Sequence, residues 1–334
     1  MSMQSLLDLF TEEYCRTFPF FGAFRVTVKD EIAYERFMGW ADDANQIPIQ
    51  RDSVFNLYSL TKPFCAIALL MQKDRGLVDL DAHPGVYVPE AKEFDSRVTI
   101  RHLLHHVSGL PDFLQIPKFE QMRDYMDTRE IRRQLKHLCE YPMYFSPGTD
   151  TRYCNINFIL CGLIIENVTG LPLAEYMKRE IFQPLGMKTA VVDAPDISVR
   201  NRVKGYDFDG KQRVAVEHAK NWLLGAGDML GTLDDVYALN RIIKHRLLLK
   251  PETWDEALTA YPGNTFGMGC YVHEWHGKNA VRHNGSFTGF QTIHMQIPEE
   301  DLDVIMLSNC DCNLCDARMA FADAAYRAYQ EMKR

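Results

Sequence analysis

Strand-like runs lie at both ends of this 334-residue chain and helical periods dominate between them, so the fold must bring the termini together in one sheet. Residues 21–28 and 32–40 read as two strands, separated by the hairpin signal Lys29-Asp30-Glu31. Near the other end, residues 269–275, 280–283, 290–297 and 302–308 are short strand-like runs with tight connections. An amphipathic helix is expected over 6–18, and an alanine-rich helix over 317–332 closes the chain. The middle, roughly 60–247, is mainly helical by period. There, 158–168 stops at Thr169-Gly170, and 173–181 follows the start signal Pro172. The implied class is α+β. Residues 1–80 and 200–334 together would build the sheet domain, and 81–199 a helical subdomain.

Composition removes several functions. The formal net charge is −8 and no Lys/Arg block occurs, so the chain lacks the electrostatic footprint of a nucleic-acid binder. The longest strictly apolar stretches, 64–71 and 158–165, are about half the ~20 residues a membrane span needs and read as core helices. The first residues show no basic segment followed by an apolar run, so no secretory signal is expected. Nine cysteines, an odd number scattered through expected helices and strands, point to reduced thiols and a cytoplasmic location.

Three short motifs carry chemistry. Ser59-Leu60-Thr61-Lys62 opens an apolar helical run that stops at Gly76. Residues three apart share a helix face, so the Lys62 amine sits beside the Ser59 hydroxyl. Serine is a poor nucleophile until a neighbouring base takes its proton. A helix N-terminus also offers free N–H groups to a developing oxyanion. Tyr153-Cys154-Asn155 follows the Pro147-Gly148 turn: the phenol could shuttle a proton, and the amide could hold both the amine and a substrate. His283-Asn284-Gly285-Ser286 ends a strand, where Gly285 would let a substrate backbone lie close and the Ser286 N–H would pair with that of Ser59 as oxyanion donors. Singly these are weak, since chance gives about 0.45 S-x-x-K and about 0.6 Y-x-N matches in a chain of this composition.

Their order and context carry more weight. The chain resembles the serine β-lactamase-like superfamily, in the branch of class C β-lactamases, D-alanyl-D-alanine carboxypeptidases, D-aminopeptidases and related esterases. That family has S-x-x-K, Y-x-N and K/H-x-G in this order. The segments Leu103-Leu104-His105-His106-Val107-Ser108-Gly109-Leu110-Pro111, Phe145-Ser146-Pro147-Gly148, Pro184-Leu185-Gly186-Met187 and Gly225-Ala226-Gly227-Asp228-Met229-Leu230 are similar to its intervening motifs. The resemblance spans about residues 54–309. It implies a mostly antiparallel sheet flanked by helices, an all-helical subdomain and a cofactor-free site between them.

The resemblance makes Ser59 the acylated nucleophile, Lys62 and Tyr153 the proton relay, and Asn155 a substrate-binding residue that also positions Lys62. His283, Gly285 and Ser286 would line the substrate. The sequence departs from the β-lactamase pattern at His283, where a lysine would help bind the substrate carboxylate; an imidazole is largely neutral at pH 7. Arg282 should point away by strand alternation, which leaves Arg318 as the possible substitute. A peptidase, amidase or esterase with weak or no β-lactamase activity is therefore expected, acting on a small-molecule or peptide substrate. The competing reading is a non-catalytic binding or scaffolding protein that keeps the fold. Two metal-like patterns have structural readings. His102, His105 and His106 fall in a helix-to-loop element of the family, and Cys310, Cys312 and Cys315 offer three ligands with no histidine near, so no metal is assigned. The oligomeric state is left open.

Overall fold

The computed structural model describes residues 2–17, 21–116, 128–194, 197–216, 223–311 and 316–333. A six-stranded antiparallel sheet is assembled from both ends of the chain. Its strands are β1 (Gly22–Val28), β2 (Glu31–Met38), β3 (Tyr271–Trp275), β4 (Lys278–Phe287), β5 (Phe290–Ile297) and β6 (Leu302–Ser308), in the order β3-β4-β5-β6-β1-β2. The β1–β6 pair joins the termini, with Gly22 opposite Ser308 and Val28 opposite Leu302.

Strand alternation sorts the side chains of this sheet. In β6, Leu302, Val304 and Met306 face one core, whereas Ile305 and Leu307 face the other. The first core is closed by the terminal helices α1 (Met3–Thr17) and α5 (Ala317–Lys333). The small residues Ala322, Ala325 and Ala328 let α5 lie close to the sheet, and Phe321 packs against Phe24 with ring centroids 4.7 Å apart. Across the sheet, β5 turns polar residues inward, and two of them bond backbone carbonyls of other segments. Thr292 Oγ1 donates to the Leu57 carbonyl at 3.0 Å, while Gln296 Nε2 donates to the Asn240 carbonyl at 2.9 Å.

The second core joins this face to a helical layer. Helix α2 (Thr61–Asp74) is buried from Thr61 to Gln72, and α3 (Asn155–Thr169) from Ile156 to Ile165. Helices apolar on all sides suit this position, and the two pack on each other. Helix α4 (Leu233–Lys244) covers the sheet and starts with a capping box between Thr232 and Asp235. Among the described residues, no single helix is long and apolar enough to cross a membrane.

Several element boundaries depart from the sequence reading. The expected strand over 32–40 breaks at Gly39, whose φ of 79° turns the chain out of the sheet before the short strand Trp40–Asp42. The helical middle is interrupted by short strands at Val191–Val192, Gly205–Phe208, Arg213–Val216 and Met229–Gly231. The strand expected to end at His283 does not stop there. It runs to Phe287, because β5 pairs it through Phe287 opposite Phe290.

Truncating Phe321 to alanine removes a fully buried ring from the sheet–α5 core. The expected cost is about 3–5 kcal/mol of unfolding free energy, read from urea denaturation. A loss under about 1 kcal/mol would contradict the packing described.

Candidate active site

The site begins at a turn under backbone constraint. Tyr58–Leu60 forms one 3-10 turn leading into α2, and Tyr58 holds a positive φ of 47°. Its ring is wedged against Phe287 and Phe290, with centroids 5.4 and 5.8 Å away. The strand Met229–Gly231 pins the turn from the other side: Met229 N–H donates to Thr61 Oγ1 at 3.0 Å, and Leu57 N–H donates to the Met229 carbonyl at 2.9 Å. Ser59 therefore emerges partly exposed from a fixed turn, while Lys62 is fully buried one turn on.

The Lys62 amine is surrounded by acceptors, and among the described residues no carboxylate is in contact with it. Its Nζ donates to Ser59 Oγ at 3.0 Å, Asn155 Oδ1 at 2.9 Å and the Ala226 carbonyl at 2.6 Å. It also lies 4.7 Å from the Tyr153 ring centre. Burial disfavours the ammonium and pulls the group down to about 7, against the weaker pull of the Asp112 charge. A lysine in this state is half deprotonated near neutrality and can act as a base.

Tyr153 brings its hydroxyl into the same enclosure. That oxygen is buried and has no completed hydrogen bond in this conformation, although the Ser59 hydroxyl is the polar group that favours its ionised form. Burial pushes the phenol well above its ordinary value.

Two positioning residues escaped the sequence reading. Asp112 accepts from the Asn155 backbone N–H at 2.7 Å and from Asn155 Nδ2 at 3.2 Å. With the amide nitrogen turned to Asp112, Asn155 Oδ1 faces Lys62. Asp228 is buried, and both its carboxylate oxygens accept from Gly225 N–H at 3.2 Å. This holds the turn that aims the Ala226 carbonyl at Lys62; burial lifts the Asp228 carboxyl to about 7. The available signal was an acid inside or directly after an otherwise apolar motif: Asp112 after Leu110-Pro111, and Asp228 among Gly225–Leu230.

The strand motif arrives at the same place. Strand β3 pairs with β4 only as far as Arg282, so His283 to Phe287 have no β3 partner along that edge. Gly285 serves a different neighbour from the one expected. A Cβ there would collide with the Leu57 carbonyl and Thr292 Oγ1, so glycine is needed for the strand to lie against the turn that carries Ser59. Ser286 is exposed next to it. His283 is buried, with its ring 6.1 Å from that of Tyr153. Its Nδ1 donates to the Asn284 carbonyl at 2.8 Å, which leaves Nε2 as a buried acceptor without a partner. Burial and the nearby Lys62 hold the ring neutral, well below its ordinary value.

The cations around the cleft are engaged. Arg282 donates to His273 Nε2 at 2.9 Å and Asn284 Oδ1 at 3.1 Å, and lies over the Tyr271 ring. Arg318 forks onto Asp316 at 2.8 and 3.2 Å and donates to the Gly285 carbonyl at 3.2 Å. It thus sits at the strand motif with its charge already paired.

The metal-like histidines have separate tasks. His102 Nδ1 accepts from Thr99 N–H, His105 Nδ1 bonds the Phe266 carbonyl, and His106 is buried behind Tyr153. Cys310 lies in a two-residue strand beside Tyr206, whereas Cys312 and Cys315 fall outside the described residues.

Residues 22–327 match the Beta-lactamase family. The chain belongs to this family. It is 27% identical over 302 residues to a D-aminopeptidase of Gluconobacter oxydans, a match covering 86% of this chain and 55% of that protein. A D-aminopeptidase of Brucella canis is also 27% identical, over 91% of this chain and 59% of its own length. The chain thus spans a little over half the length of these curated relatives. Among solved structures, the octameric penicillin-binding protein homologue from Pyrococcus abyssi superposes with a TM-score of 0.85, at 22% identity, over 98% of this chain and 77% of the other. The fold of this β-lactamase-family member is therefore α+β, as the sequence implied.

Two outcomes test the geometry. The unfolded chain holds the Lys62 proton up to about 10.5 and the folded chain only to about 7. Between these values the unfolded state binds more protons, so stability rises with pH, and the cost is fully present below 7. Calorimetry should find Lys62→Met most favoured relative to wild type at pH 6, with that difference declining as pH is raised to 9. A pH-independent difference would show that the amine is not held in this state. Asp112→Asn replaces an accepting oxygen with a donor. It should lower kcat for an ester substrate by about 10–100-fold with KM little changed; an unaltered kcat would remove Asp112 from the positioning role.

Proposed function

We propose that this β-lactamase-family protein is a serine hydrolase that works through an acyl-enzyme on a small amide, peptide or ester. The observation carrying the reading is the buried Lys62 amine, near neutral and 3.0 Å from the partly exposed Ser59 hydroxyl. In this scheme Ser59 Oγ attacks the acyl carbon as its proton passes to the Lys62–Tyr153 pair. The oxyanion is received by the backbone N–H groups of Ser59 and Ser286. The same pair returns the proton to the departing amine or alcohol, then activates the water that breaks the acyl–Ser59 bond.

The charge pattern narrows the substrate. Arg318 is forked onto Asp316, and Arg282 has donors committed to His273 and Asn284, so neither arginine stands free to replace a carboxylate-binding lysine at 283. His283 presents an acceptor rather than a cation, which suits a substrate N–H. We therefore favour an aminopeptidase, amidase or esterase over a carboxypeptidase or β-lactamase. The D-aminopeptidases among the relatives support an N-terminal D-residue. Among the described residues Cys65, Cys139, Cys154, Cys161, Cys270 and Cys310 are free thiols, which supports a reducing compartment such as the cytoplasm.

A fluorophosphonate probe should label wild type and leave Ser59→Ala unlabelled. Against p-nitrophenyl esters, D- and L-aminoacyl anilides and nitrocefin, kcat/KM should be lowest for nitrocefin by about a hundredfold or more. The active substrates should show a rise in rate with pH, centred near 7. Equal labelling of the two proteins would end the nucleophile assignment, and nitrocefin as the best substrate would end the substrate reading.

A further inference from the structure

His106 sits behind Tyr153 and touches the segment carrying it at four points. Its ring stacks on the phenol ring, with centroids 4.5 Å apart and planes 29° from parallel. Its Nδ1 accepts the Cys154 N–H at 3.1 Å. Its carbonyl accepts the Arg152 N–H at 3.0 Å and the Thr151 hydroxyl at 3.4 Å. The residues on both sides of Tyr153 and its aromatic face are thus all set by one histidine.

The histidine is itself boxed in. It is 1% exposed, and the rings of Phe158 and Phe266 lie 5.2 and 4.8 Å away, the latter edge-on. Asn157 Nδ2 lies 3.3 Å from the same Nδ1. Its φ of 57° is one that L-residues rarely adopt, so the turn at 106 is held by the surrounding contacts. Because Nδ1 is an acceptor, the ring proton belongs on Nε2, a buried atom with no partner. An apolar residue would fill the same core volume without a buried unpaired donor, which costs stability. The histidine therefore offers something a plain core side chain does not: a flat ring combined with an acceptor for the Cys154 N–H.

We infer that His106 is a positioning residue for Tyr153, fixing the phenol over Lys62 so that its hydroxyl meets Ser59. The inference rests on the proposed relay, and its test separates the two. His106→Ala removes ring and acceptor, His106→Phe keeps a ring, and His106→Asn keeps an acceptor where Nδ1 stood. With a p-nitrophenyl ester, His106→Ala should reduce kcat by about 30-fold or more at a KM within about threefold of wild type. The Phe and Asn variants should each recover part of that loss, and either alone is informative if the alanine variant does not fold.

The deciding measurement is the cycle with Tyr153→Phe. That substitution alone should cut kcat by about a hundredfold or more. Added to it, the His106 change should cost less than about threefold, because its effect passes through a hydroxyl no longer present. Full additivity of the two losses would overturn the positioning role and leave the relay standing. A Tyr153→Phe loss under about fivefold would overturn the relay, and the inference with it. A kcat within about threefold of wild type in folded His106→Ala would overturn the inference alone.

Discussion

The site depends on an amine kept where water does not reach it. A lysine in contact with a carboxylate stays charged and is useless as a base near neutrality; one buried among neutral acceptors gives up its proton far more readily. The three oxygens around Lys62 Nζ come from a hydroxyl, an amide and a backbone carbonyl. The nearby carboxylates act at one remove. Asp112 turns the amide and Asp228 holds the carbonyl's turn, so negative charge shapes the pocket without touching the amine. Each would have restored the ammonium in direct contact. Interposing a neutral group between acid and amine separates positioning from electrostatic stabilisation.

The same requirement explains how the fold is divided. Lys62 is on a helix, its acceptors come from two other segments, and the partner strand belongs to the sheet. Gly285 brings these parts to one point, because only a residue without a Cβ lets β4 touch the Leu57 carbonyl. Thr292 Oγ1 ties that carbonyl from the neighbouring strand. The turn that carries Ser59 is thus fastened to the sheet two residues before it, while Met229 fastens it on the other side. A turn so held can keep Tyr58 at a positive φ, a conformation a free loop would relax.

Much of this was legible in the sequence because local patterns report local neighbours. Ser59 and Lys62 meet through helical spacing, and the run 302–308 read as a strand. Tyr153, Asn155 and His283 came from motif order, which carries tertiary information no single residue does. What stayed hidden was contact between segments distant in sequence. Nothing in Leu110-Pro111-Asp112 says that its acid will hold an amide at 155, and nothing at Gly285 names Leu57 as its neighbour. Boundaries failed for the same reason. Residues 284–287 continue a strand because a hairpin partner is present, and Gly39 ends one through a backbone angle that propensity reports only as flexibility.

Histidine at 283 fits the charge logic of Lys62. A lysine in that place would put a second cation beside a buried amine, and like charges held out of water repel strongly. It would need an incoming anion to balance it, which is what a carboxylate-bearing substrate supplies. A neutral imidazole removes both the repulsion and the need. Its Nδ1 proton is spent on the Asn284 carbonyl, so the atom left for a ligand is an acceptor. The nearby arginine at 318 is likewise paired with Asp316. Under the proposed function, the histidine at this one position of the strand motif thus changes the class of group that can complete the pocket, from an anion to a hydrogen-bond donor. In the proposed hydrolase, the selectivity of the cleft and the proton state of Lys62 are consequently set by one electrostatic balance rather than by two separate devices.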